Sequence, residues 1–152
     1  MTPTGIREAI VAEKAGWIRK MVEGIRGLPL KSYEEFMEDS RNLPSAESYL
    51  RRALEALLDL GRHILAKGFA ISVVEYKQIG AELTNVGILS LEEGRLLKTL
   101  AGYRNRLVHF YHEIGPEELY NICSNQLHDI TKVLNNILAW IETHPEKIDR
   151  QL

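Results

Sequence analysis

The sequence predicts an all-α fold, a helical bundle of up-and-down type with four long helices and one shorter one. Three observations predict it. Apolar residues recur at three- and four-residue spacings through most of the chain, and few segments alternate as strands do. Serine, glycine and proline fall where those stretches begin and end. The connections left between them are short, as a bundle requires. With 152 residues, 45% of them apolar, the chain can close one core without a disulfide or metal staple.

In chain order, Ile6, Ile10, Trp17, Met21 and Ile25 mark a helix over 5–26, with Thr4 as its cap and Gly27 and Pro29 behind it. Ser32 and Glu35 have capping-box spacing and open one short turn in an otherwise irregular connection. A second long helix covers 45–67, stopped by Gly68. Its stripe of Leu50, Ala53, Leu54, Leu57, Ile64 and Leu65 is widened by Tyr49, Ala56 and Leu60. So broad a stripe implies more than one neighbour, and it favours a homodimer. Tyr76, Ile79, Leu83 and Val86 give a shorter helix over 75–86. Ser90 and Glu93 form a second capping box, opening a helix that runs from Leu91 to Val108. Pro116 suits a first helical position, and the last helix covers 117–142. One domain therefore spans 5–142, followed by a short charged tail, 143–152.

Nineteen Lys and Arg against twenty-one Asp and Glu leave a net charge of −2, which excludes a polycationic tail but not a local basic cleft. The stretch from Arg95 to His112 holds Arg95, Lys98, Arg104 and Arg106 and no acid. Cys123 is the single cysteine, so no internal disulfide and no multi-thiolate metal site is expected. No apolar run spans a membrane, and Met1–Thr4 opens no secretory leader. A cytoplasmic protein is expected.

One segment does not fit a plain bundle. On an ideal helix Leu97, Leu100, Ala101, Leu107, Val108 and Tyr111 all lie within about 60° of Arg104, so this guanidinium sits in the apolar face. An Arg there either snorkels along the surface or takes an anion, a carboxylate or a phosphate. Glu55 and Asp59 are the carboxylates in reach on the second helix. His109 is about 140° from Arg104, so a joint site needs a loosened helix end or a second subunit. Asn105 and His109 do share a face. By itself, His109 is equally a polar residue at a helix C-terminus.

Together these residues have a chemistry. Arg binds a phosphate bidentately and stabilises charge developing on it, and His moves protons near neutrality. RNA carries its own nucleophile, the 2′-hydroxyl. An Arg and a His then suffice for strand cleavage with no metal and no cofactor. Arg106 and His112 form a second Arg–His pair in a shifted register. Asp59 and His63, one helical turn apart, form a polar pair that would support the fold, a dimer or the site.

Arg104-Asn105, three residues, His109, one residue and Tyr111 resemble the R-N-x-x-x-H-x-Y motif of HepT-like proteins in the HEPN superfamily. The motif's place before the last long helix is similar, and so are residues 53–64 and 76–83; the resemblance spans about 5–142. It implies a dimeric helical bundle with the motif in a cleft between protomers. It further implies a metal-independent endoribonuclease toxin, partnered by a minimal nucleotidyltransferase antitoxin that attaches AMP to the motif tyrosine. On this chain Arg104 and His109 would be catalytic, Asn105 would support them, and Tyr111 would accept AMP. RNA is then the substrate. The alternative is a non-catalytic HEPN module that holds RNA or a nucleotide as the nucleotidyltransferase's partner subunit.

Overall fold

The computed structural model describes residues 5–108 and 114–150. In chain order it runs β1 (Ile6–Arg7), α1 (Glu8–Arg26), α2 (Tyr33–Glu38), α3 (Asn42–Phe69), α4 (Tyr76–Asn85), α5 (Leu91–Leu107), α6 (Pro116–Asn125), α7 (Leu127–Glu142), a 3₁₀ turn (Pro145–Lys147) and β2 (Ile148–Asp149).

The axis of the fold is α3, 28 residues and about 42 Å long. Leu50, Leu54, Leu57, Leu60, Ile64 and Leu65 are fully buried along it. Its cover comes from the same chain: α1, α4, α5, α6 and α7 all pack on it. The broad stripe does have several neighbours, but they are intramolecular, so it gives no argument for a dimer. The helix starts three residues before the expected Ser45. Asn42 is buried there, and its amide donates to the Phe36 carbonyl at 2.9 Å. Pro44 falls in the first turn, where its missing N–H costs nothing. Gly68 does not stop α3 as expected. It is buried inside the helix, where a Cβ would approach the Ile6 side chain to 3.0 Å, so glycine admits β1 against the helix. The stop comes at Ala70, left-handed at φ 56°.

Helix α1 differs from its expected pattern. Val11, Ala15, Ile18, Met21, Val22 and Ile25 are its buried residues, whereas Trp17 is 40% exposed. It begins at Glu8 rather than at residue 5 because Ile6 and Arg7 pair in parallel with Ile148 and Asp149. Thr4, the expected cap, lies outside the described residues. Both serine caps form as expected, Ser32 accepting from the Glu35 N–H and Ser90 completing a capping box with Glu93.

The expected last helix over 117–142 is broken into α6 and α7 at Gln126, whose φ of −122° leaves the helical range. Gln126 follows Ser124 and Asn125, two weak helix formers. The break aims its carboxamide at α5, where Oε1 accepts from the Tyr103 hydroxyl at 2.8 Å. The tail is drawn into the fold: β2 pairs with β1, and Lys147 Nζ donates to the Gly68 carbonyl at 3.0 Å.

Helices α4 and α5 meet backbone to backbone. A Cβ on Gly80 would collide with the Gly94 carbonyl, and one on Gly94 with Thr84 Oγ1. Thr84 Oγ1 donates to the Gly80 carbonyl at 2.9 Å at the same crossing. Gly16 on α1, by contrast, has nothing within 4 Å of where its Cβ would stand. Gly80→Ala should therefore cost about 1–3 kcal/mol by overpacking. Gly16→Ala should gain about 0.5–1 kcal/mol from helix propensity. Urea unfolding midpoints of the two variants, moving in opposite directions, check the crossing.

Candidate functional site

One face of α3 carries charge rather than core. Arg51, Glu55, Asp59 and Arg62 recur at spacings of four, four and three, so they form a single row. The near end of α5 and the start of α4 close over this row. Arg104 arrives from α5, and its Nε and one terminal nitrogen donate to Glu55 Oε2 at 3.0 and 2.9 Å. The other Glu55 oxygen accepts from Arg51 at 2.8 Å, so one carboxylate bridges two guanidinium groups. The Arg104 side chain remains 26% exposed. Of the two carboxylates expected in reach, Glu55 takes Arg104.

Asp59 is occupied elsewhere. Its carboxylate accepts a 2.6 Å hydrogen bond from the Tyr76 hydroxyl and lies 3.6 Å from Arg62. The Tyr76 ring carries both neighbouring cations on its π-system, with the guanidinium carbons of Arg62 and Arg104 at 4.6 and 4.7 Å from its centre. Burial and the hydrogen bond to Asp59 push the Tyr76 hydroxyl up to about 12, so it stays protonated and holds that bond at any physiological pH. Arg62 is fixed in turn by donating to the carbonyls of Val73 and Val74 at 3.0 and 2.7 Å. These contacts tie α3, α4 and α5 together around Arg104.

Above them opens a cleft of about 380 Å³ lined by Arg62, Glu75, Tyr76, Lys77, Arg104 and Asn105, three cations against one acid. Asn105 Oδ1 accepts from Arg104 at 3.3 Å, so it steadies the guanidinium. Of the five N–H groups of Arg104, three are used. Two remain without a partner among the described residues. The site thus presents an oriented cation with donors in reserve, at the rim of a basic cleft, which is what a phosphate requires.

The structure separates the other residues singled out from sequence. Arg106, two residues from Arg104, faces α6, where both its terminal nitrogens bind Glu118 at 2.8 and 2.7 Å. That pair holds the Glu118 carboxyl below its usual range. His63 and Asp59 form no pair: His63 Nε2 accepts from the Arg7 N–H at 3.0 Å, on the side of α3 that meets β1. His109, Tyr111 and His112 lie outside the described residues. Tyr76, Arg62 and Lys77 are the residues sequence reasoning missed as site components. Tyr76 read as part of an apolar stripe, and nothing in its spacing tells that it meets Asp59, 17 positions earlier.

Among the described residues no group of three His, Cys, Asp or Glu is placed to hold a metal, and no helix is long and apolar enough to cross a membrane.

A family model described as ribonuclease HepT-like matches residues 18–137. A curated relative, the tRNA nuclease HepT of Aphanizomenon flos-aquae, is 23% identical over 146 residues, which is 96% of this chain and 99% of that protein. A tri-AMPylated Shewanella oneidensis HEPN toxin, solved in complex with MNT antitoxin, superposes with a TM-score of 0.77. It is 22% identical and covers 86% of this chain and 97% of its own. YutE of Bacillus subtilis, a cytosolic protein of unknown function, superposes at 0.76 with 18% identity, covering 92% of this chain and 94% of its own. At these identities the structural likeness is one of fold.

His63 gives the site's flank a pH dependence. Burial, then Lys67, Arg7 and Lys14, lower its pKa, and its neutral ring accepts the Arg7 amide. A base held neutral in the fold contributes stability above its unfolded pKa of about 6.5, lost as pH falls through the folded value. The wild-type urea midpoint should drop as the pH falls below about 6.5. His63→Gln, which keeps an acceptor without a charge, should flatten that drop; an unchanged slope would sink the assignment.

Proposed function

The chain belongs to the HepT-like ribonuclease family, and from that membership we propose that it is a metal-independent endoribonuclease toxin that acts through Arg104 and His109. One observation carries the reading: Arg104 is held by Glu55 and Asn105 at the rim of a basic cleft, with donors to spare, and His109 follows five residues later in the motif. Arg104 receives the scissile phosphate and stabilises the charge that builds on its oxygens. His109 takes the proton of the 2′-hydroxyl, whose oxygen attacks phosphorus. The 5′-oxygen leaves with a proton from the partner's His109 across a homodimer cleft. The products are a 2′,3′-cyclic phosphate and a 5′-hydroxyl. Asn105 acts as a positioning residue through Arg104.

The proposed antitoxin is a minimal nucleotidyltransferase. It places the Tyr111 hydroxyl on the α-phosphate of ATP, so that a phosphodiester to AMP forms and pyrophosphate leaves. The AMP adds bulk and negative charge beside Arg104, filling the cleft and satisfying the phosphate-binding group. Support comes from the solved relatives, a HEPN toxin that is AMPylated and bound to MNT antitoxin, and from the tRNA nuclease named among the curated relatives. One domain over 5–142, functioning as a homodimer, completes the proposal.

Incubated with RNA in excess EDTA, unmodified wild type should produce cyclic-phosphate ends. His109→Ala should lower the rate by about 10²–10⁴-fold. Arg104→Ala should lower it by about 10²–10³-fold, the usual loss for one oxyanion donor. RNA that is bound but left intact by wild type would favour the non-catalytic module. After co-expression with the nucleotidyltransferase, intact mass should show added AMP, absent in Tyr111→Phe. AMP mapped to another residue refutes that acceptor.

A further inference from the structure

The cleft at Arg104 is the end of a longer groove. A second cavity of about 600 Å³ shares Lys77 with it and is lined by Val73, Gln78, Ala81, Glu82 and Lys98. A third, of about 230 Å³, shares Ala81 and Lys98 with the second and reaches Thr84, Leu91 and Arg95. The shared residues join the three along the outer seam of α4 and α5. Arg95 and Arg104 stand about 14 Å apart along the α5 axis and about half a turn apart around it, so the path winds round the α4–α5 seam and is long enough for a few nucleotides.

The charge of this groove opposes that of the chain. Five cations line it, Arg62, Lys77, Arg95, Lys98 and Arg104, against two acids, Glu75 and Glu82. The whole chain carries −2. Arg62 and Arg104 have carboxylate partners on α3. Lys77, Arg95 and Lys98 are exposed, and none takes part in an ion pair among the described residues. Ala81 sits mid-groove with no bulk to obstruct a strand, and the closely crossed backbones at Gly80 and Gly94 bring α4 and α5 together beneath it.

We propose that this groove is the path of the RNA substrate, an extended single-stranded segment whose phosphates lie on Arg95, Lys98 and Lys77 before the strand reaches Arg104. The proposal rests on the endoribonuclease reading and adds to it the route of the substrate. Contacts of this kind position a strand without reading its bases. The aromatic ring in the groove lining is that of Tyr76, at the Arg104 end. Along the rest of the groove the described lining holds no aromatic ring, so the far end binds any sequence.

The experiment uses Arg95→Gln/Lys98→Gln, two exposed residues remote from Arg104. In a His109→Ala background, anisotropy of labelled single-stranded RNA is followed across a salt series. Each lost phosphate contact on a single strand removes about 0.7 from the slope of log affinity against log salt, so the double variant should lose about 1.4. With His109 intact, KM for long RNA should rise several-fold while cleavage of a dinucleotide stays unchanged. Arg95→Glu/Lys98→Glu should deepen both losses. Wild type that cuts RNA beside a double variant of equal slope and equal KM overturns the groove and leaves the nuclease standing. Unchanged RNA binding with lost nucleotidyltransferase binding makes this face a protein surface and overturns the groove as well. Wild type that neither binds nor cuts RNA brings down the nuclease reading and the groove with it.

Discussion

A guanidinium does not give up its proton, so Arg104, set largely buried on the apolar face of α5, needs an anion beside it. Here the anion is Glu55, at 2.9 Å and one quarter exposed. That requirement fixes how α5 lies on α3, since the carboxylate that meets Arg104 is itself held by Arg51 one turn back. Tyr76 then fills the remaining side, its ring against Arg104 and its hydroxyl on Asp59. Removing Glu55 would leave two guanidinium groups without their shared partner, a larger loss than the pair's own net worth. The same contacts orient the cation, which would lower the entropy lost on binding the proposed phosphate.

Helix α3 serves two purposes because its period gives it two faces. Leu50, Leu54, Leu57 and Ile64 make the core, while Arg51, Glu55, Asp59 and Arg62 make the floor of the site. A helix 28 residues long and packed on several neighbours holds such a floor with little freedom. His63 belongs to a third direction, toward β1, where Gly68 and Lys147 also anchor the chain ends. The terminal strands thus brace the far end of the helix that carries the charged row.

Most of the fold was legible in the sequence because helical periodicity and caps are local. The two capping serines, the start of α5 at Leu91 and Pro116 at a first helical position all stand where spacing placed them. What was not legible depends on contacts distant in sequence. Gln126 breaks the last helix, yet 117–142 keeps its apolar period through the break, so periodicity passes over it. Gly68 reads as a stop signal but is a packing site for Ile6. At the site, Arg104 betrayed itself as a cation on an apolar face, and Glu55 could be named from proximity of helices. Tyr76 could not, because its role comes from where α4 lands on α3. The width of the α3 stripe was readable; whether its cover came from the same chain was not.

The nearly neutral sequence looks unsuited to nucleic acid until its charges are placed. Counting treats each acid alike, but Glu55, Asp59 and Glu118 are spent on internal partners that shape the helix packing. Among the described residues Arg95, Lys98 and Lys77 stand outside such pairs along the groove. At physiological salt their field reaches only about 8 Å. In the proposed groove such a field would hold a strand already bound rather than draw RNA to the whole surface. Affinity confined to the proposed path into Arg104 would suit a nuclease that must release its products, and it would leave the site open to closure by negative charge placed beside Arg104.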